Sequence, residues 1–223
     1  MAAVSDTVLR WSIERFIKRS GMYVLALIAV VPAYSKTLHF TDQQGNALAN
    51  VIVSRQASLP LTASPEPAIM DQVNKSFVPH VLAVQKGQLV SFPNSDNIRH
   101  HVYSFSQTKP FEIKLYSGTE SEPIMFDKPG IVVLGCNIHD SMVGYIYVSD
   151  GEQLWQSDNN GDVTVPDEVK NVSVWHADLD FMHTKRIELA IDNSPESQNV
   201  TLQLVALPEP VEKRTFGKRT FGN

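Results

Sequence analysis

The 223-residue chain has a formal charge of −5 at pH 7, with 43% hydrophobic, 19% charged and 9% aromatic residues, 13 Pro, 11 Gly and one Cys. That length and apolar content can fill one or two cores, and they exclude a disordered, collagenous or disulfide-stapled chain. The acidic balance argues against a nucleic-acid binder, which would present a basic face.

Residues 21–34 read GMYVLALIAVVPAY, an apolar run preceded by Arg15, Lys18 and Arg19 and followed by the small-x-small pattern Ala33-Tyr34-Ser35. This predicts a signal-peptide helix over residues 1–35, cleaved near Ser35, and places the mature protein in the periplasm. A bilayer span needs about 20 apolar residues, so the membrane is expected to be met only in transit. An uncleaved anchor is the alternative. In an oxidising compartment a lone thiol must be buried or metal-bound to persist.

The mature chain reads as all-β. Runs rich in Val, Ile, Tyr, Phe and Thr recur as KTLHF (36–40), ANVIVSR (49–55), HVLAVQ (80–85), QLVSFP (88–93), HHVYSFS (100–106), FEIKLY (111–116), IVVLGC (131–136) and VGYIYVS (143–149). Residues 57–68, with three Pro, read as a linker or long loop, and 149–162 as a polar turn cluster around Trp155. VTVP, NVSVWH, KRIELAI and NVTLQLVAL then supply a second set of strands. The tail over 208–223 repeats KRTFG at 213–217 and 218–222 and is expected to be disordered. No mature segment keeps a helical period for three turns, and strands at this spacing predict a sandwich or barrel.

The chemistry concentrates in Gly135-Cys136-Asn137-Ile138-His139-Asp140-Ser141-Met142, which gathers a thiolate, an imidazole and a thioether on one short loop. A second imidazole source is the pair His100 and His101. Two His and one Cys with a weak axial Met is the donor set of blue-copper electron-transfer centres. Zn(II) can take the same thiolate and imidazole ligands, and a plain buried Cys is the bland alternative. Successive side chains of a strand point to opposite faces, so only one of His100 and His101 can face the Cys loop.

These residues resemble the cupredoxins, of the plastocyanin and pseudoazurin kind. In that family the first ligand stands in a His-polar-Val string, matched here by His100-His101-Val102. The resemblance makes His100 the ligand and puts His101 in the place of a residue that braces the Cys loop. It matches Cys-x-x-His with Cys136 and His139, and it assigns the weak axial place to Met142. Plastocyanin-like proteins usually place four residues between the second His and the Met, whereas two intervene here. Phe77-Val78-Pro79, the turn Lys86-Gly87, Asn94 and Asp96 before His100, Phe126-Asp127-Lys128-Pro129-Gly130 and the strand at Gly144–Val148 complete the resemblance over about residues 69–149. Narrower strings resemble bacterial plastocyanin-like proteins labelled methylamine-utilisation proteins.

The flanks, with Asp42, Gly45, Leu48, Val51 and Val53 before and Asp158, Gly161, Val163, Val172, Val174 and Trp175 after, resemble two parts of a carboxypeptidase-regulatory-like, immunoglobulin-type β-sandwich. The expected organisation is a Greek-key cupredoxin sandwich at 66–149 inserted into a split sandwich formed by 36–60 and 150–207; tandem β-domains are the alternative. His176 and His183, near Asp178 and Asp180, read as loop residues, Trp175 as core, and Met70 and Met125 as packing. Glu112, Glu120 and Glu122 read as a solvated acidic face or a docking surface for a basic redox partner. No enzyme motif of the G-x-S-x-G, H-E-x-x-H or P-loop kind occurs. The resemblance implies a monomeric, non-enzymatic carrier with one type 1 copper, passing single electrons between redox partner proteins. A non-redox copper-storage or partner-binding module is the alternative.

Overall fold

The computed structural model describes residues 35–56, 63–119, 122–192 and 197–205. The predicted leader, most of the 57–68 connection, Glu120 and the KRTFG tail lie outside the described residues. Among the described residues the structure is all β apart from one 3-10 turn at Ala177–Leu179.

The centre is a five-stranded sheet in the order Phe111–Tyr116, His100–Ser104, Gly130–Gly135, Val143–Ser149, Val81–Gln85. Its last two strands pair in parallel, Tyr145 opposite Val81, and the other pairs are antiparallel. Two smaller sheets cover one face. One holds Ile124–Phe126, Gln88–Ser91 and Ala68–Ile69; the other holds Gly118–Thr119, Pro93–Asn94, Asp71–Val73 and Ser76–Val78. Between them Met70, Phe77, Val90, Phe92, Val102, Phe126, Val132, Leu134, Ile146 and Val148 form the first core. The predicted Lys86-Gly87 turn joins two of these strands, and Gly87 takes a φ of 87° that suits a residue without Cβ.

The flanking segments pair with each other across the central one. Ser35–Thr41 lies between Asp162–Pro166 (antiparallel) and Ser197–Thr201 (parallel). Ile52–Gln56 lies between Glu152–Gln156 and Asn171–Trp175, with Arg186–Ala190 beyond. Leu38, Phe40, Val51, Val53, Val163, Val165, Val172 and Val174 close a second core there. The Glu152–Gln156 strand falls inside the stretch read as a polar turn cluster. Its residues are partly exposed, so the segment lacks the apolar alternation that marks a half-buried strand, and pairing with Ile52–Gln56 decides its conformation.

Strand alternation links the two halves. In Val143–Ser149, Ile146 and Val148 point into the first core, while Tyr145 and Tyr147 point the other way. There they meet Ile52, Val81, Ile131, Trp175 and Ala177 in a third cluster between the five-stranded sheet and the Ile52–Gln56 sheet. Six of the seven residues of Val143–Ser149 are buried, which is why this strand reads as a nearly unbroken apolar run.

Candidate metal centre

His100 opens its strand opposite Tyr116 and is fully buried. Alternation sends Val102 into the first core on the same side and turns His101 away. His101 Nε2 meets Glu112 Oε1 at 2.8 Å instead, and its ring packs on Tyr103. The choice between the two histidines is therefore settled by the pleat, and His100 faces the Cys loop.

Cys136 follows the Gly130–Gly135 strand and is buried. The chain then turns tightly: the Met142 N–H donates to the His139 carbonyl at 2.9 Å and the Val143 N–H to the Ser141 carbonyl at 3.1 Å. The loop is thus pinned between two adjacent antiparallel strands of one sheet. Glycines at its shoulders allow close approach. A Cβ on Gly135 would stand 2.7 Å from the Tyr103 ring, and one on Gly144 would stand 2.8 Å from the Phe77 Cβ.

The donor atoms of His100, Cys136 and His139 lie within 4.8 Å of one another. His100 Nδ1 faces Cys136 Sγ at 3.8 Å, and the two imidazole rings are 5.0 Å apart between centroids. His139 Nδ1 is buried with no hydrogen-bond partner. Leaving a polar atom so costs about 1–3 kcal/mol, which a metal–nitrogen bond would offset. A thiolate with two imidazoles suits copper among the first-row metals, and zinc as well. Met142 is buried in the same apolar cluster as Cys136, at the end of the loop.

His100 is held from behind. Its Nε2 lies 2.7 Å from Asp96 Oδ2. The Asp96 carboxylate also accepts the N–H of Asn74 at 2.6 Å and that of Lys75 at 2.9 Å. The Lys75 bond leads in holding its carboxyl below the usual aspartate value, helped by His100 and Asn74 and opposed by burial. Asn94 donates to the Ile98 and Tyr116 carbonyls, both at 2.9 Å, and fixes the loop before His100. Motif reading located Asn94 and Asp96 but gave Asp96 no role, because its partners are 4 and 21–22 residues away.

The other singled-out residues are dispersed. His183 Nδ1 bonds the Ala177 carbonyl at 2.7 Å, and Asp180 caps the N–H groups of Thr184 and Lys185, both at 2.9 Å. Trp175 is buried in the third cluster, and burial lowers the pKa of its neighbour His176. Met70 packs in the first core, but Met125 is 51% exposed, because in Ile124–Phe126 it is Phe126 that faces inward. Glu122 is exposed, and Glu112 serves His101.

No family model matches the chain, and no curated protein does. Among solved structures, a Cu-containing nitrite reductase from Thermus scotoductus SA-01 is 30% identical, covering 41% of this chain at a TM-score of 0.36. The match spans only 25% of that enzyme's length. A purple cupredoxin from Nitrosopumilus maritimus is 21% identical over 37% of this chain and 99% of its own, at a TM-score of 0.33. An oxidised proline-to-alanine mutant of amicyanin is 19% identical over 37% of this chain and 82% of its own, at a TM-score of 0.34. The five-stranded sheet with its facing strands, and the His-Cys-His group at one end, are the arrangement that the sequence resemblance to cupredoxins predicts for the central part of this chain.

Proposed function

We propose that the protein is an exported, type 1 copper protein that carries single electrons between partner proteins in the periplasm. The observation that carries this reading is the convergence of three buried or half-buried donors, one of them an imidazole nitrogen without a hydrogen-bond partner. Cys136 would hold the metal through its thiolate, His100 and His139 through Nδ1, and Met142 would be the weak axial ligand. Bound copper supplies a one-electron couple between Cu(II) and Cu(I). The chain supplies rigidity: His100 is fixed by its strand and by Asp96, and Cys136 and His139 by the loop between paired strands. Donors that move little between oxidation states keep reorganisation small. The apolar surroundings of Cys136 exclude water from the sulfur and tune the potential. The reading implies a monomer with a protein donor and a protein acceptor, no nucleic acid, and no reaction at the metal beyond electron exchange.

Visible absorption during Cu(II) titration tests it. An intense thiolate-to-copper band should appear, bleach with ascorbate and return with ferricyanide. Cys136→Ser should lose the band. A colourless protein that binds Zn(II) or Cu(I) tightly would overturn the carrier reading in favour of a storage or structural metal site.

A further inference from the structure

We propose that Asp96, in the loop before His100, is a positioning residue for that histidine and is itself held by the tip of the hairpin formed by Asp71–Val73 and Ser76–Val78. The proposal deepens the copper reading and rests on it for its effect on the metal, though not for its effect on the histidine.

Asp96 is one carboxylate with three donors. Two are the backbone N–H groups of Asn74 and Lys75, at 2.6 and 2.9 Å; the third is His100 Nε2 at 2.7 Å. Asn74 and Lys75 form the two-residue turn of the hairpin, at φ of 52° and 59°. Successive residues of that conformation aim both N–H groups at one anion. The turn and the Asp96 loop are fastened further. Ser95 donates its hydroxyl to Asp71 Oδ2 at 2.8 Å and its N–H to the Gln72 carbonyl at 3.1 Å. Gln72 also pairs with Asn94. The carboxylate is therefore fixed before His100 meets it, and its side chain is only 12% exposed.

An ionised carboxylate can only accept. The proton of a neutral His100 must then sit on Nε2. That leaves Nδ1, the nitrogen facing Cys136 Sγ at 3.8 Å, bare and aimed at the metal position. A backbone carbonyl in the same place would fix the same tautomer, but it would not bring a negative charge. The charge strengthens the imidazole as a donor and favours the higher oxidation state of a bound metal. Asp96 should accordingly hold the reduction potential down and the Cu(II) affinity up.

The test compares the wild type, Asp96→Asn, and Asp42→Asn as a control. Asp42 caps a remote turn through the N–H groups of Gln44 and Asn46. Nitrogen NMR of the metal-free proteins reads the His100 tautomer. Copper loading then gives the midpoint potential and, by chelator competition, the Cu(II) affinity. The wild type should show the Nε2–H tautomer alone. Asp96→Asn should show a mixture, a higher potential and Cu(II) affinity reduced about 10- to 100-fold, with Asp42→Asn unchanged in all three. An unchanged tautomer, potential and affinity in a folded Asp96→Asn would overturn the proposal and leave Asp96 a turn cap. If Asp96→Asn does not fold, the wild-type tautomer decides, and Nδ1–H overturns the proposal. If the wild type binds no copper, the electron-carrier reading fails, while the metal-free tautomer still tests Asp96.

Discussion

Gly144 shows how little freedom surrounds the loop. A Cβ there would press on the Phe77 Cβ at 2.8 Å and on its ring at 3.0 Å, and Phe77 is itself buried in the first core. Overpacking of this kind costs about 1–3 kcal/mol. Gly144→Ala should lose that much stability in urea unfolding, and the loop should loosen with it. His176 offers a different reading at the same scale. Burial makes its charged form unfavourable, so its folded pKa lies below the ordinary histidine value. Its contribution to stability is complete above the unfolded value and is lost as the pH falls below it, where the unfolded chain takes up a proton first. His176→Gln should flatten the decline of stability between about pH 7 and 5, measured as the melting temperature across that range.

At the scale of elements, the hairpin at Asp71–Val78 stands out for a mismatch between residue and conformation. Lys75 occupies a left-handed φ of 59°, which a β-carbon makes unfavourable by about 1–2 kcal/mol and which glycine takes freely. Lys75→Gly keeps the N–H that Asp96 accepts and should raise stability by about 1 kcal/mol in denaturant unfolding. Neither this hairpin nor the Glu152–Gln156 strand has a strong period-2 apolar pattern in the sequence. Both have short, polar strands whose conformation is set by their pairing partners. Strands with clean patterns, such as Ser35–Thr41 with Lys36, Leu38 and Phe40 inward, were legible directly.

At the scale of the whole molecule, the aromatic seam between the two sandwiches should make them unfold together. Trp175 packs edge-on against Tyr145 and Tyr147, at 6.0 and 5.7 Å between centroids. Arg186 lies over the Tyr147 ring at 4.7 Å and reaches Glu152 at 3.1 Å. Trp175→Ala should cost about 3–5 kcal/mol, and calorimetry should show the single transition of the wild type lowered or split in two. The seam also sets an alkaline limit. Burial first of all raises Tyr145 and Tyr147 to about 12 from 10.0. Because the folded pKa is the higher one, their contribution is full below about pH 10 and is lost as the pH rises toward 12. Tyrosinate absorbance and loss of near-ultraviolet dichroism should rise together over that interval.

The sequence by itself determined the all-β class and the chemical kind of the centre. Both are local properties: strands follow the alternation of neighbouring residues, and Cys136, His139 and Met142 share one short loop. It also pointed to Phe126-Asp127-Lys128-Pro129-Gly130 and Lys86-Gly87 as turns, since Gly and Pro restrict or free the backbone where they stand. Only the tertiary structure decided that His100 rather than His101 joins Cys136 from the residues themselves, because that depends on which face of a strand is covered. Only it could show that Nδ1 is the inward nitrogen, that Asp96 and the Asn74-Lys75 turn hold the other one, and that Tyr145, Tyr147 and Trp175 join two cores. Those facts depend on atoms brought together from distant parts of the chain, and no local pattern encodes such distances.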